Sequence, residues 1–137
     1  MNDPLFTHAD VVSSYSRAQA LADGVLVAVP DQLRLEAGFR IPMAMTSRVF
    51  EDCVAWKLED SERKQVSQDQ EARLRDLLAV ARFAAHSDPQ SKTLAFDLLR
   101  VPRTGCGILP RCVSLVLSIH PGDKGEPVLT IMFPGED

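Results

Sequence analysis

The sequence predicts a single α+β domain, and three observations support this. The 137-residue chain falls within the usual size of one domain. Its 45% hydrophobic and 25% charged residues are typical of a globular protein. Apolar residues follow helical spacing in the middle third and strand-like patterns in the last third. We therefore expect one domain over residues 1–137, in which a mixed N-terminal αβ segment precedes two principal helices packed on a C-terminal three-stranded antiparallel meander.

The N-terminal segment opens with a weak strand candidate at residues 11–15. Ser16 and Gln19 then fit a capping box, in which the two side chains satisfy free backbone amides at the start of a helix. A short helix is therefore expected to begin at this point. Gly24 is expected to end it, because glycine tolerates the left-handed conformation of a helix stop.

Two extended stretches follow. Residues 25–29 form a continuous, largely β-branched run of strand length. A further helical turn or two is expected between Pro30 and Gly38. Residues 39–45 also look extended, but Pro42 cannot donate a hydrogen bond to a sheet ladder. This stretch is therefore expected to be an edge strand or a loop.

The middle third predicts two helices separated by a polar connection. The first begins at Thr46 and carries apolar residues at spacings of three and four. Residues 57–70 are strongly polar and predict a solvated connection. A second capping box, Ser67 to Gln70, opens the longest helix, which Asp88-Pro89 ends. Its apolar face is expected to consist of Leu74, Leu77, Leu78, Ala81 and Ala85. Its solvated face is expected to consist of Arg75, Ala79, Arg82 and His86.

The last third predicts three strands, at residues 93–101, 112–120 and 128–133. No helical pattern intervenes, and strands that follow one another in this way usually pair as an antiparallel meander. The connections at 102–111 and 121–127 are rich in glycine, proline and charged residues. In the middle strand, the face with Ser114 and Ser118 is half polar, as expected if the long helix covers one side of the sheet only.

Charge and hydropathy exclude some classes of protein. The net charge of −4 argues against a general nucleic-acid binder. Apolar stretches are too short to span a membrane, and residues 1–10 do not resemble a signal peptide. Three cysteines are an odd number in a chain without an export signal, so reduced thiols and a cytoplasmic location are expected.

Common catalytic and cofactor patterns do not match the sequence. The cysteine and histidine spacings fit no metal site, and the glycines form no phosphate-binding loop, so neither a metal nor a cofactor is expected. Cys53 lies on an apolar helical stripe, where a thiol is usually inert. Cys106 lies between glycines near Arg103 and is the best candidate for a reactive thiol, although plain turn chemistry explains its surroundings better.

Three arginines, Arg100, Arg103 and Arg111, bracket one loop, with Asp97 as the nearest acid in the sequence. Such a group could bind a phosphate backbone or an acidic protein surface. No aromatic residue is interleaved for base stacking, and arginine stems often cover apolar surface. The solvated-loop interpretation is therefore favoured over ligand binding.

Ordered blocks of residues nevertheless resemble a known family. They are Tyr15-Ser16-Arg17-Ala18-Gln19-Ala20, Asp23-Gly24-Val25-Leu26-Val27, Glu36-Ala37-Gly38-Phe39, Glu51-Asp52-Cys53-Val54, Arg73-Leu74 with Asp76, Pro121-Gly122-Asp123, Gly125-Glu126-Pro127-Val128 and Pro134-Gly135-Glu136-Asp137. In this order they resemble a family of short bacterial proteins of unknown function, frequent on plasmids and integrative elements. The resemblance implies an accessory role, such as acting on host defence or on maintenance of the element.

Two functions follow as hypotheses. The first is a non-enzymatic module that binds a protein partner, with a homodimer through a sheet edge left open. The second is an enzyme whose polar site assembles from distant residues, for which the candidates are Tyr15, Arg17, Asp23, Glu36, Asp52, Arg73 and Asp76. Several of these have ordinary alternatives as helix-face or turn residues, so binding is favoured over catalysis. Nucleic-acid binding through the three arginines is the weakest option.

Overall fold

The computed structural model describes residues 15–136, which contain five strands and a series of mostly short helices. In chain order the elements are α1 (Arg17–Ala22), β1 (Leu26–Ala28), α2 (Asp31–Glu36), β2 (Met43–Thr46), α3 (Ser47–Val49) continuing as a π-helical turn (Phe50–Val54), α4 (Leu58–Lys64), α5 (Gln70–Ser87), β3 (Thr93–Arg100), β4 (Arg111–Pro121) and β5 (Pro127–Met132). The strand expected at 11–15 lies outside the described residues except for Tyr15.

The five strands form one mixed sheet in the order β1-β2-β5-β4-β3. β3, β4 and β5 pair antiparallel in sequence order, which confirms the meander and the α+β class. β1 pairs antiparallel with β2, and β2 pairs parallel with β5. The N-terminal strands thus extend the C-terminal meander into a larger sheet, a pairing that the sequence patterns did not predict.

The expectation for residues 39–45 is wrong in one respect. β2 lies between β1 and β5, so it is an interior strand rather than an edge strand. Pro42 precedes the strand and contributes its carbonyl, which accepts a hydrogen bond of 2.9 Å from the Leu129 amide. The amide that proline lacks is therefore not needed, and β1, confirmed within residues 25–29, occupies the edge.

α5 packs on one face of the sheet and forms the core with the π-helical turn. Leu77, Leu78 and Ala81 of the helix are fully buried, as are Leu115 and Ile131 of the sheet. This confirms the long helix and its apolar face, although its N-cap is Asp69 rather than Ser67. Among residues 15–136, no helix has the length and hydrophobicity needed to cross a bilayer.

The polar connection expected at residues 57–70 contains a helix instead. α4 spans Leu58–Lys64, and two of its charged side chains, Asp60 and Lys64, are buried. Polar residues look solvated in a sequence because burial of a charge costs free energy unless it is paired. In this segment Asp60 accepts from the nearby Lys57 amide and Arg63, but its third partner, Arg103, and the carbonyls that bind Lys64 come from the distant loop between β3 and β4.

The opposite face of the sheet is covered unevenly. α1 contacts β1, and Arg17 at its start reaches Thr130 and the Leu129 carbonyl of β5. Ala44, Val128 and Thr130 on this face are buried. The outward face of β3 and β4 is open, with Ser114 exposed and Val116 half-buried. This half-polar face agrees with the prediction that the long helix covers one side only.

Replacing Leu77 by alanine tests the assignment of the core. Leu77 is 0% exposed, so its truncation should lower the free energy of unfolding by about 2–5 kcal/mol through lost burial and a residual cavity. Leu58→Ala is the control, because Leu58 is 74% exposed, and it should change stability by less than about 0.5 kcal/mol. Urea unfolding of both variants measures the difference. Equal effects would contradict the packing of α5.

Candidate functional site

A cleft of about 760 Å³ opens beside α1, on the face of the sheet away from α5. Its floor comes from outward-facing residues of β2, β4 and β5, and its walls from α1 and the turn after β4. We refer to it as the α1 cleft, and its polar lining includes Tyr15, Arg17, Thr46, Ser118, His120, Asp123, Thr130 and Glu136. Residues from both ends of the described chain therefore meet in one place.

Arg17 ties α1 to the sheet. Its Nη1 donates to Thr130 Oγ1 and its Nη2 donates to the carbonyl of Leu129, each at 2.8 Å. Burial lowers the pKa of the guanidinium, while the negative charges of Asp123 and Glu126 act in the opposite direction. An arginine presents several donors in a planar group, so it can hold a hydroxyl and a carbonyl at once.

Asp123, in the turn after β4, holds the first turn of α1. Its two carboxylate oxygens accept from the amides of Arg17 at 2.7 Å and Ala18 at 3.0 Å. These amides have no partner within the helix, so a carboxylate is well placed to satisfy them. The same hydrogen bonds lower the pKa of Asp123. The predicted capping box between Ser16 and Gln19 is confirmed at the same helix end.

His120 and Thr130 face each other on the floor of the cleft. His120 Nε2 lies 2.8 Å from Thr130 Oγ1, and Nδ1 lies 3.2 Å from the carbonyl of Pro121. A carbonyl can only accept, so the consistent tautomer carries its proton on Nδ1 and accepts at Nε2. Thr130 then donates to His120 and accepts from Arg17, and its hydroxyl is fully engaged by protein groups.

The remaining walls are held in a similar way. Glu136 Oε1 accepts from Thr46 Oγ1 and from the Phe133 amide, each at 2.8 Å, which fixes the last described residues against β2. At the entrance, the Tyr15 hydroxyl donates to Asp23 at 2.8 Å, and this hydrogen bond raises the pKa of the exposed tyrosine. The cleft is thus a preorganised polar surface rather than a set of unpaired reactive groups.

The candidate catalytic residues do not share one cleft. Tyr15 and Arg17 lie in the α1 cleft, with Asp23 beside them. Glu36 lies in a groove between α2 and α5, where Arg75 donates to it at 2.7 Å. The other three candidates lie near a small pocket at the C-terminal end of β3: Asp52, Arg73 and Asp76. The structure therefore divides the set among three places.

At the C-terminal end of β3, charged groups fasten the loop between β3 and β4. We refer to this network as the loop clamp, and its members are Glu51, Asp52, Asp60, Arg63, Lys64, Arg73, Arg100 and Arg103. Arg100 grips both carboxylate oxygens of Asp52, at 3.0 and 3.1 Å. Arg103 pairs with Glu51 at 2.6 Å and with Asp60 at 2.9 Å.

These pairs alter the interpretation of the three loop arginines. Asp97 is their nearest acid in the sequence, but the acids that neutralise Arg100 and Arg103 come from residues 51–60. Arg111 is exposed at the start of β4. Two of the three charges are committed within the fold, which argues against a phosphate-binding patch and agrees with the favoured structural interpretation.

Arg73 and Lys64 satisfy backbone carbonyls in the clamp. Arg73 donates to the carbonyls of Asp52, Val54 and Val101, and its guanidinium lies 4.8 Å from the centre of the Trp56 ring. Lys64 Nζ donates to carbonyls of the loop at Pro102 and Gly107. Buried cations need such partners, so both side chains serve as structural centres of the clamp.

The thiols differ in exposure. Cys53 is buried, and burial, with a smaller contribution from Asp52, raises its pKa to about 12, as an inert thiol requires. Cys106 is exposed on the loop that the clamp holds. Among residues 15–136, histidine, cysteine and acidic side chains nowhere gather in threes that could hold a metal ion.

Sequence reasoning missed much of the α1 cleft and of the clamp. His120 fitted no metal-site spacing, Thr46 was expected to begin a helix, Thr130 lay in an expected strand, and Asp60 and Lys64 lay in a stretch expected to be solvated. Asp123 and Glu136 did fall within the resemblance blocks, which was the available signal. The partners of all these residues lie far away in the sequence, so local patterns could not pair them.

Together these features define a small α+β protein with a mixed five-stranded sheet and a structured polar cleft beneath a short helix. The chain belongs to the family of unknown function DUF6573, whose family model matches residues 1–137. No curated protein and no solved structure matches the chain. Membership agrees with the expected uncharacterised family, while the bacterial and plasmid context remains a prediction.

Replacing Arg17 by lysine tests the anchor of the α1 cleft. Lysine keeps the charge but cannot hold Thr130 and the Leu129 carbonyl together, so the free energy of unfolding should fall by about 1–3 kcal/mol. Arg40→Lys, at an exposed arginine, is the matched control and should leave stability nearly unchanged. Chemical denaturation measures both variants, and equal values would show that Arg17 is not an anchor.

The loop clamp makes a prediction about pH. A hydrogen bond from the Lys57 amide, joined by those from Arg103 and Arg63, lowers the pKa of Asp60 from 3.8 to about 2. A carboxylate whose pKa is lowered in the folded protein stabilises the fold at pH values above its ordinary pKa. This stabilisation is lost as the pH falls through the pKa of the folded protein. Asp60→Asn should therefore be less stable than the parent at pH 6, with a difference that shrinks towards pH 2.

Urea unfolding between about pH 6 and pH 2 measures this dependence. Glu59→Gln is the control, because Glu59 is an exposed acid on the same turn of α4 and makes no ion pair within residues 15–136. It should follow the parent at every pH. A pH-independent deficit in Asp60→Asn would contradict the assigned role of the carboxylate.

Proposed function

We propose that this protein is a non-enzymatic binding module that engages a protein partner through the α1 cleft. The observation that carries the proposal is the convergence in one cleft of residues from distant parts of the chain, each already held by hydrogen bonds. Such preorganisation lowers the free-energy cost of ordering side chains when a partner binds. It also predicts that the cleft keeps its shape when a partner binds.

The rim of the cleft suits a polypeptide. Tyr15 and Val25 are each 50% exposed, so an aromatic and a β-branched side chain project beside a polar floor. Exposed tyrosine offers apolar contact area and a hydroxyl at a small entropy cost, which is why protein interfaces are rich in it. The resemblance to plasmid-borne proteins suggests that the partner is a host protein or one that the element encodes.

One observation favours an enzyme as a second candidate. Thr130, His120 and Arg17 form a line of hydrogen bonds resembling an activated hydroxyl beside a base. However, Thr130 is only 4% exposed and its hydroxyl is held from both sides. A nucleophile has to reach its substrate, so this geometry supports binding better than catalysis.

A photo-crosslinking experiment tests the binding module. A benzophenone side chain replaces Tyr15 in one variant and Phe83, an exposed aromatic on α5, in a control. In lysate from a host cell, the Tyr15 position should crosslink one discrete protein and the Phe83 position should not. The crosslinked protein, purified, should then bind the parent chain in calorimetry.

Two further variants make the outcome specific to the cleft. Val25→Asp places a charge on the apolar rim and should weaken binding of the purified partner at least about tenfold, whereas Phe83→Ala should not. If both positions crosslink the same set of proteins, or if Val25→Asp binds as tightly as the parent, the α1 cleft is not the binding surface.

A further inference from the structure

The outer edge of β3 is a second surface with a defined chemistry. β3 pairs with β4 along its whole length in an unbroken register from Thr93 to Arg100, and it is the last strand of the sheet. It contains no proline and no bulge, the features that commonly protect an edge strand. Within residues 15–136, no backbone or side-chain group donates to or accepts from this outer edge.

The register fixes which residues face outwards along the edge. The Ile119 amide donates to the carbonyl of Lys92 at 2.8 Å, so Lys92 and Ile119 are a hydrogen-bonded pair. Bonded and non-bonded pairs alternate in an antiparallel ladder, so the even-numbered residues of β3 turn their peptide groups towards β4. The amides and carbonyls of the odd-numbered residues therefore point outwards: Thr93, Ala95, Asp97 and Leu99.

The two charged side chains of β3 do not guard this edge. Asp97 accepts from Ser114 Oγ on β4 at 2.8 Å, which holds its carboxylate towards the neighbouring strand. Arg100 is gripped by Asp52 in the loop clamp. Charges on edge strands usually discourage pairing, but here both are tied back to the same molecule.

We propose that β3 pairs antiparallel with β3 of a second copy of this chain, about a two-fold axis at Phe96, to form a continuous ten-stranded sheet. This register places Thr93 opposite Leu99 of the second copy and Ala95 opposite Asp97 of the second copy. All four outward residues are then paired, which gives about eight backbone hydrogen bonds between the copies. The inference is independent of the α1 cleft, which lies towards the other end of the sheet.

The charge of Asp97 and the pairing of the outward residues distinguish this register from its neighbours; it also places Lys92 opposite Arg100 of the second copy, whose charge Asp52 neutralises. An axis at Asp97 would place the two Asp97 carboxylates opposite each other, which is unfavourable, and would leave Thr93 without an outward-facing partner. An axis at Ala95 would leave Leu99 without one. The axis at Phe96 instead sets Leu94 against Leu98 and Phe96 against its own copy, on the face that α5 covers.

Sedimentation of the full chain between about 1 and 500 µM tests the proposal. An edge pairing buries less surface than the about 1,200–2,000 Å² of a stable interface, so a reversible dimer is expected within this range. Its mass should be twice the 15.1 kDa of the chain. A chain that remains monomeric throughout overturns the proposal and leaves the edge available to a strand of another protein.

Ala95→Pro distinguishes the edge from other surfaces. Its amide faces outwards, so proline removes no hydrogen bond to β4 but blocks the pairing between copies. The dissociation constant should rise at least about tenfold, whereas Ala95→Val, which keeps the amide, should dimerise like the parent. Circular dichroism checks that both variants are folded. A folded Ala95→Pro protein that dimerises normally overturns the proposal.

A designed charge pair tests the register, and it also tests the dimer if the Ala95→Pro variant does not fold. Thr93→Glu and Leu99→Lys are at exposed positions that the proposed axis places opposite each other. Each single variant should associate as tightly as the parent or more weakly. The double variant forms two ion pairs across the axis. It should associate at least about threefold more tightly than the single variants predict together. Strict additivity contradicts the axis at Phe96.

Discussion

The parallel pairing of β2 with β5 joins the N-terminal segment to the C-terminal meander, and the rest of the structure depends on it. Met43 and Met45 enter the core beside Leu129 and Ile131 because this register aligns them. On the other face, the same pairing places Ala44 beside Thr130, where α1 can lie. Without it β1 and β2 would not belong to the sheet that β3, β4 and β5 form.

Polar groups then secure what the strand pairing brings together. The Arg17 side chain binds the sheet, and Asp123 accepts from amides in the first turn of α1, so the α1 cleft has fixed walls. The loop clamp does the same for the long connection between β3 and β4, where apolar contacts are few. Buried charged groups stabilise such an arrangement only when nearly all their hydrogen-bond donors and acceptors are paired. Arg73 and Lys64 meet this condition through backbone carbonyls.

These two networks explain why charged residues were hard to interpret in the sequence. The candidate residues Asp52, Arg73, Arg100 and Arg103 make hydrogen bonds and ion pairs that fasten a loop. Asp123 and Glu136, which carried no recognisable chemical pattern, hold the walls of the cleft. The binding that we propose is therefore attributed to the surface that these residues support, with Tyr15 and Val25 at its rim, rather than to the charges themselves.

The sequence by itself determined the fold class, the α5 helix, the capping box at Ser16 and the three-stranded meander. These elements depend on local propensity and on the period of apolar residues, both of which can be read from neighbouring positions. Only the tertiary structure decided the interior position of β2, the existence of α4 with its buried Asp60 and Lys64, and the composition of the α1 cleft. In each of these at least one stabilising partner lies tens of residues away in the chain, and contacts of that kind leave no local pattern.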